Sequence, residues 1–201
     1  MGTVSLNPYL TTNAQNSFLL QSDGFVAGTF QDDPALRYAL EAGVVSSSQS
    51  TPLYGGLPVT LTLAAPGPGG SSSGLGSTIA LATAEGNLDG FVVFNQASAG
   101  PITSSSNVPL YTSGQSANFI RVGCGLRLVL PVNPTAVATL TGEGSNTAIY
   151  WDYTNNWVDV SGTGALGFQI IELNTNSKTV DYVSASSVNW AAGGSVIVVR
   201  I

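Results

Sequence analysis

Apolar side chains recur at every second position over long stretches of this chain. From Leu57 to Leu63, leucine or valine alternates with proline or threonine, and every even position from 120 to 130 is apolar. Such alternation is typical of strands with one buried face. The 201 residues include 24 glycines and 10 prolines, so turns should interrupt the strands often. We therefore predict an all-β fold, an antiparallel β-sandwich or barrel.

Short strands are predicted throughout the chain after residue 56, with short polar turns between them. Two of these turns, residues 154–156 and 174–178, are rich in Asn, which tolerates the positive φ that hairpins use. The predicted strands are 57–63, 79–81, 90–95, 118–130, 136–141, 147–153, 157–160, 167–173, 179–183 and 195–201.

One short helix is predicted before these strands. Asp33 can cap its first turn, Pro34 fits the first helical position, and Gly43 can end it. Residues 1–27 show no sustained periodicity, so we predict an extended N-terminal arm that becomes ordered against a neighbouring protein. The chain then divides into an arm with a short helix, residues 1–58, and a β-domain, residues 59–201.

Ionisable side chains are scarce in this sequence. Only 8% of the residues are Asp, Glu, Lys or Arg, against about 25% in average soluble domains. Few charges lower the desolvation cost of covering a broad face with another protein. They also make a poor solitary monomer, which favours a role in an assembly.

The charge pattern and the hydropathy pattern limit the possible partners. The five basic residues are scattered and the net charge is −6, so we expect no nucleic-acid partner. No apolar run approaches the roughly 20 residues that cross a bilayer, so we expect no membrane partner. The first ten residues lack the pattern of a signal peptide, which favours synthesis in a cytoplasm without export.

The residue types that usually carry catalysis are missing or badly placed. The chain has no His, which removes the commonest general base and metal ligand. Residues 70–74 match the G-x-S-x-G pattern but lie in a low-complexity loop without the strand and helix that this motif needs. Lys178, in a predicted turn, would stay hydrated and protonated. We therefore expect no enzyme activity, no cofactor and no metal.

Two functional hypotheses, a catalytic carboxylate pair and a sugar-binding platform, depend on the stretch around residues 150–159. Asp152 and Asp159 could form a carboxylate pair of the kind that glycosidases use. The aromatic side chains there could instead form a platform for sugars, as in a carbohydrate-binding module at a fibre tip or on a virion surface. A structural interpretation, with the Trp residues in the core, competes with both. The platform residues would be Trp151, Tyr153 and Trp157 of this stretch, together with Trp190 from later in the chain.

The face of the predicted strand 118–130 that lies opposite its apolar face is unusual. Its odd positions carry Arg121, Gly123, Gly125 and Arg127, so two guanidinium groups flank a stretch without side chains. Another backbone could approach there and a carboxylate could be held between the two Arg side chains. A solvated face with a bulge at the glycines explains the same pattern. Cys124, on the apolar face, is predicted to lie in the core.

Two segments in the first third of the chain form a recognisable block. They are Gly28-Thr-Phe-Gln-Asp-Asp-Pro-Ala-Leu-Arg-Tyr-Ala-Leu-Glu-Ala-Gly43 and Pro52-Leu-Tyr-Gly-Gly56. This block resembles the N-terminal part of the structural cement, or capsid decoration, proteins of tailed phages. The remainder of the chain is similar to them only in its Ser, Thr and Gly content.

The resemblance implies a structural protein on the outer surface of a phage capsid. Such a protein would bind the major capsid protein, bridge neighbouring capsid subunits and form a homotrimer. An uncharged arm and a docking helix fit this role, because an extended segment can add main-chain hydrogen bonds along a seam. Three linked copies would add avidity. The expected capsid contacts are Phe30, Asp32, Asp33, Arg37, Tyr38 and Tyr54.

Overall fold

The computed structural model describes residues 25–32, 39–63, 77–94, 108–184 and 187–201. In this part of the chain ten strands and one short α-helix form the fold, so the predicted all-β class is confirmed. The strands are β1 Leu40–Val45, β2 Pro58–Thr62, β3 Thr78–Leu81, β4 Gly90–Val92, β5 Ser116–Arg121, β6 Arg127–Pro131, β7 Tyr150–Asp152, β8 Trp157–Asp159, β9 Gln169–Ser184 and β10 Ser187–Arg200. The helix α1 is Pro134–Leu140, and a 3-10 turn covers Glu85–Asn87.

Five strands close into a small barrel in the order β1-β3-β2-β4-β5. Only the contact between β1 and β3 is parallel. Val59, Ile79 and Phe119 fill the barrel and are almost fully buried, because alternate positions on these strands point inward. The predicted strands at 57–63, 79–81 and 90–95 correspond to β2, β3 and β4 within the described residues.

The second sheet contains three strands in the order β6-β10-β9 and is covered on both faces. On one face Leu128 and Ile197 join the larger core, and on the other Val129 and Val198 form a smaller cluster with Ala27. All four residues from Val196 to Val199 are buried, which explains their continuous apolar run.

Residues 25–32 bind both outer edges of this sheet, and we call them the N-terminal clasp. Ala27 N–H donates to the Lys178 carbonyl of β9 at 2.8 Å, and Lys178 N–H donates to the Phe25 carbonyl at 2.8 Å. The chain then crosses to β6, where Gly28 N–H donates to the Val129 carbonyl at 2.7 Å. Phe30 forms an antiparallel bridge with Leu128. The clasp therefore pairs the exposed edges that such a sheet would otherwise present.

The predicted helix is wrong in its second half. Residues 33–38 lie outside the described residues, but Leu40–Val45 is strand β1, which pairs with β5 over its length and with β3 at its end. Barrel pairing overrides the local helix signals. Gly43, expected to end the helix, instead allows close packing, since a Cβ there would lie 2.6 Å from Ile79 Cγ2.

The long strand predicted at 118–130 is two strands with a turn between them. Gly123 and Gly125 have φ of 86° and 79°, and this left-handed conformation forms a turn between β5 and β6. Cys124 lies on this turn and is exposed, so its predicted core position is wrong.

Residues 136–141, predicted as a strand, belong mainly to α1. Asn133 caps this helix, because its Oδ1 accepts hydrogen bonds from Thr135 N–H at 3.0 Å and from Thr135 Oγ1 at 2.9 Å. Pro134 occupies the first helical position. The alternation of Ala, Val and Leu in this segment did not distinguish a short helix from a strand.

The turn predicted at 154–156 is confirmed, since it joins β7 to β8 and Asn156 has φ of 58°. The turn predicted at 174–178 is wrong. β9 runs without a break from Gln169 to Ser184. The polar residues of this stretch pair with β10, with register shifts on both sides of Gly194.

The expected division after residue 58 falls inside the barrel, because it cuts through β2, which begins at Pro58. Within 1–58, the described residues 25–32 and 39–58 pack with the rest of the fold. Residues 1–24 of the expected arm lie outside the described residues, and residues 25–27 belong to the clasp.

Candidate functional site: a cleft beside the aromatic hairpin

The aromatic hairpin β7–β8 turns both side chains of its central pair into the core. Trp151 lies opposite Val158, and both are buried. The Trp151 ring packs edge-on against Phe91 at a centroid distance of 5.2 Å. Trp190, on β10, is also buried and packs against Phe94 at 5.5 Å. The four-residue platform suggested by the sequence is therefore not formed, because two of its rings fill the core.

Asp152 holds the turn of this hairpin together. Its Oδ1 accepts hydrogen bonds from the N–H groups of Thr154 and Asn155 at 2.8 and 3.1 Å, and its Oδ2 accepts one from Asn155 Nδ2 at 2.6 Å. Burial would raise the pKa of this carboxyl, but the hydrogen bonds from Asn155 and Thr154 outweigh burial and lower the pKa from its ordinary value. The Trp157 indole N–H contributes least to this lowering and lacks good hydrogen-bond geometry.

Asp159 attaches the hairpin to the start of α1. Its Oδ2 accepts a hydrogen bond from Asn133 Nδ2 at 2.7 Å, and its Oδ1 accepts one from Val160 N–H at 2.7 Å. Both carboxylates of the suggested catalytic pair are thus bound to donors that shape the local backbone. A general acid needs a raised pKa, and the lowered pKa of Asp152 does not suit it to that role.

Next to this hairpin lies a cleft of about 390 Å³. The turn at Thr154–Trp157 forms one wall, and Thr179–Tyr182 of β9 forms the other. Tyr54–Leu57 and residues near Gly194 also line it. A single charged side chain, that of Asp181, lies among the lining residues that the structure describes.

Aromatic rings and an unpaired acceptor are the chemical features of the cleft. Tyr54 and Tyr182 stack with centroids 6.3 Å apart and an angle of 24° between their planes. Trp157 faces the same space from the hairpin. The Asn156 Oδ1 atom is buried and has no hydrogen-bond partner in the described part of the chain. Such an acceptor is rare in a folded protein unless a bound group satisfies it.

The Tyr54 hydroxyl stays protonated over the whole physiological range. Burial, with smaller contributions from the nearby Tyr182 and Asp181, raises the pKa of this group to about 12. The cleft therefore offers neutral phenol and amide groups, with one carboxylate near its wall.

The expected capsid-contact residues that are described make contacts within the fold. Phe30 packs against the larger core, and Tyr54 is buried in the barrel core. Asp32 accepts hydrogen bonds from Arg127, through the backbone N–H and through Nε at 2.8 Å. Asp33, Arg37 and Tyr38 lie outside the described residues.

The groove suggested by Arg121, Gly123, Gly125 and Arg127 is a turn, and its two Arg side chains diverge to separate partners. Arg121 Nε donates to Glu41 Oε1 at 2.8 Å, and this pair is about half exposed. Arg127 binds Asp32 instead. Both guanidinium groups thus already hold carboxylates of the same chain, and the glycines have open space around them.

The two segments of the recognisable block meet in the structure. A Cβ on Gly28 would lie 2.3 Å from the Gly55 carbonyl carbon, so the two backbones cross in direct contact. A Cβ on Gly55 would in turn lie 2.8 Å from Phe94 Cβ. Gly28 and Gly55 of this block are therefore explained by packing of the clasp over the barrel.

Several large apolar side chains are exposed, among them Leu63 at 80% and Val183 at 68%. Val183 lies beside Tyr182 near the end of β9, on the hairpin that borders the cleft. In the described residues, no helix is long and apolar enough to cross a membrane.

Sequence reasoning identified Trp157 and the Asn-rich turn that contains Asn156, but missed Asp181 and Tyr182 as neighbours of Tyr54. The pairing of β9 with β10 and the crossing of the clasp bring these residues together, and no local motif encodes either contact. The signal that could have indicated the site was the pair Asn155-Asn156 before a Trp.

Comparisons of this chain with known protein families, with curated proteins and with solved structures find no match.

Proposed function

We propose that this protein is a non-enzymatic cement protein of a tailed-phage capsid. It binds the outer surface of the head as a homotrimer and bridges neighbouring major capsid subunits. The observation that carries the proposal is a surface poor in charge that exposes large apolar side chains, Leu63 and Val183 above all. Such a surface loses little hydration energy when another protein covers it.

The packing of the recognisable block also supports the proposal. Its two segments, which resemble cement proteins, form one structural unit through the contact between Gly28 and Gly55. Phe30, Asp32 and Tyr54 belong to that unit and fix the clasp on the sheet and barrel. In this proposal the clasp anchors the start of the fold, and residues 1–24, which precede it in the chain, grip the capsid.

The experiment removes residues 1–24 and measures attachment to capsids assembled without this protein. Phe25 and Ala27 remain, because their backbone groups bond to Lys178. The truncated protein should keep its unfolding midpoint and its trimeric mass by light scattering, and should no longer co-sediment with the capsids. A matched control removes residues 1–31, which deletes most of the clasp and should destabilise the fold.

Equal decoration by the full-length and truncated proteins would show that residues 1–24 do not carry attachment. A folded full-length protein that never binds capsids and stays monomeric would refute the cement function itself. A cryo-EM map of decorated particles would then give the symmetry position and the number of copies.

A further inference from the structure

We propose that the cleft between the aromatic hairpin and the β9–β10 hairpin binds a neutral carbohydrate, of one or two sugar rings. This activity is separate from capsid attachment and uses a different part of the molecule. The cleft has the volume of a small-ligand site, about 390 Å³, within the usual range of about 300–1,000 Å³.

The aromatic groups offer flat apolar faces of the kind that sugar rings cover with their C–H groups. Tyr54 and Tyr182 stack on each other, and Tyr182 keeps 37% of its surface exposed. Trp157 belongs to the opposite wall. A ring lying between these walls would contact apolar faces while its hydroxyl groups reach the polar rim.

The polar groups of the cleft match hydroxyl groups better than ions. Asn156 Oδ1 is buried without a partner and can accept a hydrogen bond from a ligand hydroxyl. Thr154, Thr179 and Ser195 also line the cleft, and their hydroxyl groups can donate or accept.

The charges of the lining residues exclude anionic ligands from the cleft. No Lys or Arg lines the cleft in the described residues, and Asp181 is acidic. Because the pKa of Tyr54 is raised to about 12, its hydroxyl remains a neutral donor. Phosphorylated, sulfated or sialylated ligands would meet a carboxylate without a compensating cation.

The site is also held in a fixed shape. Asp152 fixes the hairpin turn by three hydrogen bonds, and Asn156 N–H donates to the Asp152 carbonyl at 2.8 Å. Near the opposite wall, the Thr179 side chain lies over Gly194, where a Cβ would come within 2.3 Å of its hydroxyl oxygen. A prearranged cleft loses little entropy on binding.

The test uses the full-length protein and two variants that should fold normally. Asn156→Gly removes the unpaired acceptor, and Gly suits the φ of 58° at this position. Tyr182→Ala removes an exposed ring of the cleft. Val183→Ala is the matched control, because Val183 is the next residue on β9 and does not line the cleft.

The proteins are applied to an array of neutral and sialylated glycans. They are then titrated with disaccharides of glucose, galactose and N-acetylglucosamine, and the Trp157 indole and Asn156 amide signals are followed by NMR. We expect binding of a neutral sugar, a shift of both signals, and an affinity loss of about tenfold or more in Asn156→Gly and Tyr182→Ala. Val183→Ala should bind like the native protein.

Several results would overturn the proposal, provided that circular dichroism shows folded proteins. They are no binding of any neutral sugar, binding of sialylated glycans alone, and sugar binding that neither cleft variant weakens. Capture of an extended peptide in the cleft, displaced by Tyr182→Ala but indifferent to sugars, would identify a protein ligand instead and would also refute it. None of these outcomes depends on whether capsids are decorated.

Discussion

Substitution of Gly28 by Ala should destabilise the protein far more than its small volume suggests. The new Cβ would lie 2.3 Å from the Gly55 carbonyl carbon and 2.6 Å from the Gly56 nitrogen. Both neighbours are backbone atoms, so no side chain can rotate away. The clasp must instead move off the barrel, which weakens the bonds from Gly28 N–H to the Val129 carbonyl and from Phe94 N–H to the Gly28 carbonyl.

Three contributions make up the expected loss. A residue with a side chain at φ of +83° costs about 1–2 kcal/mol. Overpacking adds about 1–3 kcal/mol, and a weakened hydrogen bond adds about 1 kcal/mol. The sum, about 3–6 kcal/mol, is a large fraction of the usual stability of about 5–15 kcal/mol.

Gly114→Ala is the matched control for this experiment. Gly114 has φ of +81°, and a Cβ there has nothing within 4 Å. Its cost is therefore the conformational contribution alone, about 1–2 kcal/mol. In urea unfolding, the Gly28→Ala midpoint should fall below that of Gly114→Ala by at least about 1 M. Equal midpoints would refute the reasoning, because they would show that residues 28 and 55 are not in tight contact.

Three further predictions follow from the ionisable groups. The raised pKa of Tyr54, about 12 against an ordinary 10.0, corresponds to about 3 kcal/mol of stability that is fully present below pH 10 and is lost as pH rises toward 12. Tyr54→Phe should remove this part of the alkaline loss in urea midpoints measured from pH 9 to 12, and an identical profile would contradict it. Asp32→Ala should cost about 1.5–3 kcal/mol, because it removes the acceptor of both the Arg127 backbone N–H and Arg127 Nε. Glu41→Ala breaks an exposed pair and should leave the urea midpoint nearly unchanged. Similar losses in the two variants would contradict this ranking. The lowered pKa of Asp152 contributes stability above its ordinary value of 3.8 that is lost as pH falls through the folded-state value. Asp152→Asn should therefore lose less stability on acidification, as thermal unfolding between pH 5 and 2 can show.

Alternation of side chains identified the β class and most strands because it reports the burial of one face, which is a local property. The same pattern failed where long-range pairing decides the structure. Leu40–Val45 carries adequate helix signals, yet hydrogen bonds to β5 and β3 stabilise it as a strand. Cys124 shared the apolar register of its neighbours, but Gly123 and Gly125 place it on an exposed turn.

The candidate site was predictable only in part for the same reason. The Asn-rich turn before Trp157 has a local signature, and the structure confirms it. The opposite wall depends on β9 being one long strand, whereas its polar centre predicted a turn. Tyr54 was chosen through a family resemblance, and its proximity to Tyr182 arises from a contact between residues far apart in the sequence.

The N-terminal clasp has a consequence for how the chain acquires its structure during translation. Phe25 N–H donates to Ser177 Oγ across a separation of 152 residues, so the clasp leaves the ribosome long before its docking strands exist. Native contacts of such long range slow folding. Nascent chains should therefore expose an unpaired segment for much of synthesis, which makes them natural clients of holding chaperones until β9 emerges.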